Sequence, residues 1–134
     1  MDMVAVPKVP ERRRRLLVVD DDDGLRENLA DLLSSAGYEV ATAADTTEAL
    51  RAIASGEFDL VLTDLRIPGP NGLDLIRTVR RDFPDMRAIL MTAFGNTYTE
   101  IESVRRGAIG YLKKPFEAEE VTGLVEKILS LQGE

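Results

Sequence analysis

The chain has 134 residues, of which 44% are hydrophobic and 31% charged, and this composition is typical of one globular domain with a core of its own. It contains no histidine and no cysteine, which excludes disulfides, thiolate chemistry and the usual zinc ligands, and suits a reducing compartment. The net charge of -7 argues against direct nucleic-acid binding, and no apolar run approaches the ~20 residues of a membrane span. Any chemistry therefore has to use carboxylates, hydroxyls and lysine.

The N-terminal segment differs from the rest of the chain. Residues 1–14 hold two prolines and no hydrophobic periodicity, so we expect a flexible tail before a single domain that spans residues 15–134. The basic run Arg12–Arg15 could hold an anionic partner, but a solvated lead-in to the first strand is the favoured interpretation.

Strands and helices are predicted to alternate along the domain. Short apolar runs bounded by turn residues predict strands at Leu16–Val19, Tyr38–Ala43, Phe58–Thr63, Met86–Met91 and Ile109–Lys113. Capping residues or an acidic first turn predict helix starts at Asp22 or Asp23, Asp45, Asn71, Thr97 and Glu117. Such alternation indicates an α/β fold with a parallel sheet, right-handed crossovers and helices on both faces.

Polar residues follow four of the predicted strands, at the sheet edge where ligands bind in open α/β folds. They are Asp20 and Asp21 after the first strand, Asp64 after the third, Thr92 after the fourth and Lys114 after the fifth. Each alone has an ordinary explanation as a helix cap, a residue bonded to local backbone or a surface lysine. Together they bring three carboxylates, a hydroxyl and an ammonium to one edge, which favours a functional site.

The chemistry of these five side chains indicates which ligand and which reaction the site could support. Carboxylates ~4 Å apart repel by about 4 kcal/mol per pair at an effective dielectric near 20. A hard divalent cation relieves that repulsion, and a ligand set made only of oxygens favours Mg²⁺. A bound metal, a carboxylate nucleophile and donors for phosphoryl oxygens are the parts needed for phosphoryl transfer.

Short motifs around these residues carry a family resemblance. The motifs are Val18-Val19-Asp20-Asp21, Leu62-Thr63-Asp64 followed by Pro68 and Gly72, Met91-Thr92-Ala93, and Lys114-Pro115-Phe116. In this order and spacing, over residues 15–131, the chain resembles the receiver domains of two-component response regulators. The resemblance implies a flavodoxin-like, doubly wound sheet of five parallel strands in the order 2-1-3-4-5.

The resemblance also implies the roles of the acidic residues. Asp64 would accept a phosphoryl group from a phosphohistidine on a sensor histidine kinase or phosphotransfer protein. Asp21, Asp64 and the backbone carbonyl of Arg66 would bind Mg²⁺ directly, with Asp20 acting mostly through water. The chain would work in the cytoplasm as a switch that catalyses only its own phosphorylation and dephosphorylation, and would not be an enzyme in the usual sense.

The resemblance further implies a conformational response. Thr92 and Lys114 would hold the phosphoryl oxygens, and the Lys114–Pro115 peptide would be cis. Tyr111, which from the residues alone is a packed strand aromatic, would swing inward when the hydroxyl of Thr92 moves toward the phosphoryl group. The changed surface would be the helix from Thr97 to Arg106, the last strand and the last helix, where a downstream effector, an output domain or a second copy of the chain would bind.

Some positions differ from the common family pattern or vary within it. Asn71 stands where many members have Asp and still suits a helix cap. Arg66 and Phe94 lie two residues after Asp64 and Thr92, where side chains tune the attack of water on the phosphorylated residue. The segments at 66–69 and 91–95 look most like receivers of nitrogen-regulation-type transcription activators, which implies a longer protein with ATPase and DNA-binding domains.

One alternative is a phosphatase. Asp21-Asp22-Asp23-Gly24-Leu25 fits the Asp-x-Asp-Gly pattern of haloacid-dehalogenase-like enzymes, with Asp21 as the nucleophile and Asp23 as the acid and base. The short chain, the lack of a later acidic pair and the unexplained Asp64 argue against it. A receiver-like interaction module that never meets phosphate is a further alternative, disfavoured because all five site residues are present.

Overall fold

The alternation of strands and helices is confirmed by the structure, a computed structural model that describes residues 13–93 and 96–132. The elements are β1 (Arg15–Val19), α1 (Asp23–Ser35), β2 (Glu39–Ala43), α2 (Thr46–Ser55), β3 (Leu60–Asp64), α3 (Gly72–Asp82), β4 (Arg87–Thr92), α4 (Thr97–Arg106), β5 (Gly110–Lys113) and α5 (Ala118–Gln132). The predicted tail lies almost wholly outside the described residues and stays a prediction. No helix among the described residues is both long and apolar enough to cross a bilayer.

The five strands form one parallel sheet in the order β2-β1-β3-β4-β5, which confirms the predicted flavodoxin-like order. The register places Val19 beside Thr63, and Asp64 beside Met91. Because all strands run the same way, the carboxyl ends of β1, β3, β4 and β5 meet at one edge of the sheet.

Alternate strand residues enter two separate hydrophobic cores, one on each face of the sheet. Leu17 and Val19 of β1 face the core that α2 and α3 cover. Leu16 and Val18 face the core that α1 and α5 cover. All four side chains are fully buried, as expected for a strand with helices on both faces.

Helix α4 begins at Thr97, where the sequence predicts a helix start, but the residue that caps it is the preceding one. The cap is Asn96, whose side chain accepts from the backbone N–H of Thr99 at 2.8 Å, and Thr97 is the first helical residue. The helix buries Thr99 and Ser103, while Ile101 is 54% exposed. Small hydroxyl residues suffice here because the helix packs mainly against α3 and β5.

Arg15, the last residue of the basic run, is held by several contacts. Arg15 begins the strand, and its guanidinium lies 4.6 Å from the centroid of the Phe58 ring and donates to the backbone oxygen of Glu57 at 3.0 Å. Its backbone N–H donates to the carboxylate of Asp59 at 2.8 Å. Arg15 therefore ties the start of β1 to the segment that leads into β3.

Candidate functional site

The three predicted carboxylates converge at the carboxyl edge of the sheet. Asp20 directly follows β1 and is fully buried, Asp64 is the last residue of β3 and is 8% exposed, and Asp21 is exposed. One carboxylate oxygen of each lies within 4.8 Å of the other two. An oxygen cluster of this size, open to solvent on the side of Asp21, fits a hard divalent cation that keeps some of its waters.

Lys114 connects two of these carboxylates. Its Nζ lies 2.8 Å from Oδ2 of Asp20 and 3.4 Å from Oδ2 of Asp64. The Lys114–Pro115 peptide is cis, and the backbone N–H of Lys114 donates to the carbonyl oxygen of Thr92 at 2.9 Å. The lysine is therefore held by the neighbouring strand and directs its charge at the acidic cluster.

The environment of Asp64 favours its neutral form. Burial, followed by the negative charge of Asp20, raises the pKa of the Asp64 carboxyl above its ordinary value. The ammonium of Lys114 and the backbone N–H of Leu65, which donates to Oδ1 at 2.9 Å, lower that pKa in part. The site holds more negative charge than Lys114 offsets, and a cation that binds there would stabilise the ionised carboxylate.

Arg26 belongs to the site although the sequence analysis did not find it. Its Nη1 donates to the backbone oxygen of Asp20 at 2.8 Å, and its Nη2 donates to Oδ1 of Asp23 at 2.6 Å. The backbone N–H of Asp22 completes the turn by donating to Oδ1 of Asp20 at 2.9 Å. The three-residue spacing of Asp23 and Arg26 along a helix predicts an ion pair between them. The same spacing does not predict the hydrogen bond from Arg26 to the backbone oxygen of Asp20.

The loop between β3 and α3 is held against the end of β3. The backbone N–H of Gly72 donates to the carbonyl oxygen of Leu65 at 2.9 Å. A Cβ at Gly72 would stand 2.2 Å from the carbonyl oxygen of Asp64, so this close approach requires glycine. The hydroxyl of Thr46 donates to the carbonyl oxygen of Pro70. Within this loop the side chain of Arg66 is exposed.

The two predicted switch residues lie on neighbouring strands. Thr92 ends β4 and is fully buried, and Tyr111 lies half-buried on β5. Burial and the negative charge of Glu100, on α4, raise the pKa of the Tyr111 phenol. The aromatic ring packs against the core, and its strand contacts α4. Phe94 lies outside the described residues, and its predicted effect stays a prediction.

Comparison with known protein families settles what kind of domain this is. Residues 16–126 match the family described as "Response regulator receiver domain". The chain belongs to this family. A receiver domain is a phosphoacceptor switch and not a classical enzyme.

Individual relatives agree with the family match. The receiver domain is 39% identical over 106 residues to the DNA-binding transcriptional regulator NtrC of Azospirillum brasilense, covering 79% of this chain but only 22% of that protein. It is 34% identical over 109 residues to sporulation initiation phosphotransferase F of Bacillus subtilis, covering 81% of this chain and 88% of that protein. The likeness to NtrC agrees with the predicted nitrogen-regulation-type resemblance.

A solved structure agrees with the fold. The response regulator receiver domain protein (CheY-like) from Methanospirillum hungatei superposes with a TM-score of 0.88 at 29% identity, covering 91% of this chain and 98% of that chain. None of these three relatives supports the phosphatase alternative in which Asp21 is the nucleophile.

Proposed function

We propose that Asp64 is the phosphoacceptor of this receiver domain and that Mg²⁺ is its cofactor. The observation that supports this most directly is the convergence of Asp20, Asp21 and Asp64 within 4.8 Å, with Lys114 in contact with two of them. Lys114 contacts two carboxylates, those of Asp20 and Asp64. Of these two, Asp64 ends a central strand and is the one that stays partly exposed to solvent.

Mg²⁺ would be held by the carboxylates of Asp20, Asp21 and Asp64 and by the backbone carbonyl of Arg66. The fully buried Asp20 already accepts from Lys114 and from a backbone N–H, so it would act mostly through water. The cation would neutralise charge on the carboxylates and on the phosphoryl oxygens.

The reaction proposed for the chain's own residues is a displacement at phosphorus. An ionised oxygen of Asp64 bonds to phosphorus while the P–N bond of a phosphohistidine breaks, and the imidazole nitrogen keeps the electron pair. Lys114 and the hydroxyl of Thr92 would hold the phosphoryl oxygens. Hydrolysis of the resulting acyl phosphate would return the carboxylate, so the domain would catalyse its own dephosphorylation.

The response would pass from Thr92 to Tyr111 and then to the surface formed by α4, β5 and α5. The strand β5, which carries Tyr111, contacts α4, and α4 exposes Tyr98 and Ile101 to solvent. We propose that a sensor histidine kinase or phosphotransfer protein supplies the phosphoryl group in the cytoplasm. A downstream effector, an output domain or a second phosphorylated copy would bind the changed surface.

Phosphorylation by a small donor tests the assignment of Asp64. The protein is incubated with Mg²⁺ and acetyl phosphate, and intact mass spectrometry counts phosphoryl adducts. We expect one adduct on the wild type, none on Asp64→Asn, and an unchanged adduct on Asp31→Asn, a matched control on the exposed face of α1. Chelation of Mg²⁺ with EDTA should abolish the adduct, and Asp21→Asn should slow its formation.

Two results would contradict the proposal. An adduct that peptide mapping places on Asp21, together with steady phosphate release by Asp64→Asn, would favour the phosphatase. The absence of any adduct, together with no Mg²⁺ binding by calorimetry, would favour an interaction module that does not use phosphate.

A further inference from the structure

A groove with two chemically different halves runs between α3 and α4. The basic half has a volume of about 470 Å³ and is lined by Arg77, Arg80, Arg81, Arg105 and Arg106 together with Glu102. The other half, about 250 Å³, is lined by the exposed aliphatic side chains of Val104 and Ile109, by the buried Ile76 and Val79, and by polar groups that include Arg80 and Arg87. Arg80 lines both halves, so the two are adjacent.

Part of the positive charge in this groove is not neutralised. Arg106 pairs with Asp74 at 3.2 Å and with Glu102 at 3.1 Å. Among the described residues, neither Arg77 nor Arg80 has a carboxylate partner. In a chain with a net charge of -7, this is a local excess of guanidinium groups.

The helix dipoles account for only some of these features. Arginines in the last turns of α3 and α4 offset the negative ends of the helices. Arg77 lies before the last turn of α3 and has no such explanation. The dipoles also do not explain the aliphatic half, where Val104 is 63% and Ile109 is 45% exposed beside the arginines. At the same end, the buried Nε of Arg87 has no hydrogen-bond partner among the described residues.

We propose that this groove binds an acidic segment of another polypeptide in which an aliphatic residue is flanked by carboxylates. The aliphatic side chain would occupy the half that Val104 borders, and the carboxylates would pair with Arg77 and Arg80. Arginine suits this role because its planar group binds a carboxylate through two parallel hydrogen bonds. A buried apolar anchor with charged neighbours is a common mode of peptide recognition.

A peptide fits the groove better than a nucleic acid does. A phosphate backbone carries negative charge along its whole length and would also meet the carboxylates of Asp74, Asp82 and Glu102. A peptide can place its carboxylates at the arginines alone and an aliphatic side chain beside the exposed Val104. The acidic cluster of the phosphorylation site lies at the other end of the helices, because α3 and α4 run back from that edge of the sheet. At physiological ionic strength, charges more than ~8–10 Å apart are largely screened, so the distant carboxylates do not prevent an acidic segment from binding.

Fluorescence anisotropy with a defined probe tests the proposal. The probe is a short fluorescein-labelled peptide with a leucine pair flanked on both sides by glutamates, and companion peptides replace the leucines by serine or the glutamates by lysine. We expect saturable binding of the first peptide alone, weakening with added salt. Arg77→Glu should weaken it roughly tenfold, while Arg51→Glu, an equal charge reversal at an exposed position on α2, should change it less than about twofold.

A second pair of variants tests the aliphatic half. Val104→Ser should weaken binding roughly threefold, while Ile101→Ser, at a similarly exposed position on α4 outside the groove, should leave it unchanged. Equal losses for Arg77→Glu and Arg51→Glu would overturn the proposal, as would tighter binding of a DNA duplex than of the acidic peptide. A dimer in sedimentation equilibrium that Arg77→Glu dissociates would instead assign the groove to a second copy of the chain.

Discussion

Replacing Asp64 by asparagine should stabilise the fold when no divalent cation is present. At an effective dielectric near 20, the ammonium of Lys114 at 3.4 Å attracts the Asp64 carboxylate by about 5 kcal/mol. Asp20, within 4.8 Å, repels it by about 3–4 kcal/mol, and the exposed Asp21 repels it less, so these terms nearly cancel. What remains is the cost of holding a carboxylate out of water, which is several kcal/mol before its hydrogen bonds are counted.

The asparagine side-chain amide in Asp64→Asn would keep the hydrogen bond from the backbone N–H of Leu65 while removing this cost. We therefore expect the substitution to raise the free energy of unfolding by about 1–3 kcal/mol in EDTA, measured by urea unfolding followed by circular dichroism. Asp31→Asn should move it by less than about 0.5 kcal/mol. Added Mg²⁺ should stabilise the wild type and have less effect on Asp64→Asn, because a ligand stabilises the state that binds it.

The stability difference between Asp64→Asn and the wild type should depend on pH with a definite sign. Because the pKa of Asp64 is raised in the folded state, the folded chain binds this proton more readily than the unfolded chain does. The stabilising contribution of the proton is complete below the ordinary aspartate pKa and is lost as the pH rises through the raised value. In EDTA, the stability advantage of Asp64→Asn over the wild type should therefore shrink as the pH falls through this range. An Asp64→Asn variant no more stable than Asp31→Asn at neutral pH would refute the reasoning.

Three further substitutions test the supporting contacts by urea unfolding. Gly72→Ala should destabilise by about 3 kcal/mol or more, since its Cβ would stand 2.2 Å from the carbonyl oxygen of Asp64; an unchanged midpoint would show that the loop can move away. Arg26→Gln should cost about 1–2 kcal/mol and weaken Mg²⁺ binding in calorimetry, because it loses the bond to the Asp20 carbonyl; unaltered Mg²⁺ affinity would remove Arg26 from the site. Lys114→Gln should destabilise the chain in EDTA and gain more from Mg²⁺ than the wild type does, because the cation then supplies the missing charge; an equal gain would contradict this.

The sequence predicted which segments form strands, but it did not predict the exact residues at which they begin and end. The apolar run predicted β3 from Phe58, whereas the strand begins at Leu60. The carboxylate of Asp59 is used instead to bind the backbone N–H of Arg15. That partner is distant in sequence, and periodicity within one segment carries no information about it.

The convergence of the acidic residues could be predicted because topology alone produces it. Residues at the ends of parallel strands meet at one edge, so Asp20, Asp64 and Lys114 were expected together without knowledge of any side-chain contact. The bond of Arg26 to a backbone carbonyl and the groove beside Arg77 could not be predicted this way. Both depend on how helices pack on their neighbours, which the pattern of one helix does not specify.

The division of the core into two layers limits how this sequence can change in length. Val61 of β3 enters one core while Leu60 and Leu62 enter the other, so a slip of one residue would turn every side chain to the opposite layer. An insertion or deletion inside Leu60–Asp64 would unpack both layers and carry Asp64 away from its neighbours in the same step. A change of length in residues 56–59, before the strand, would disturb the contacts of Arg15 with this segment but would leave the alternation of the strand intact. Each strand must therefore keep its length and register. Insertions and deletions should be tolerated best at the edge of the sheet opposite the acidic cluster.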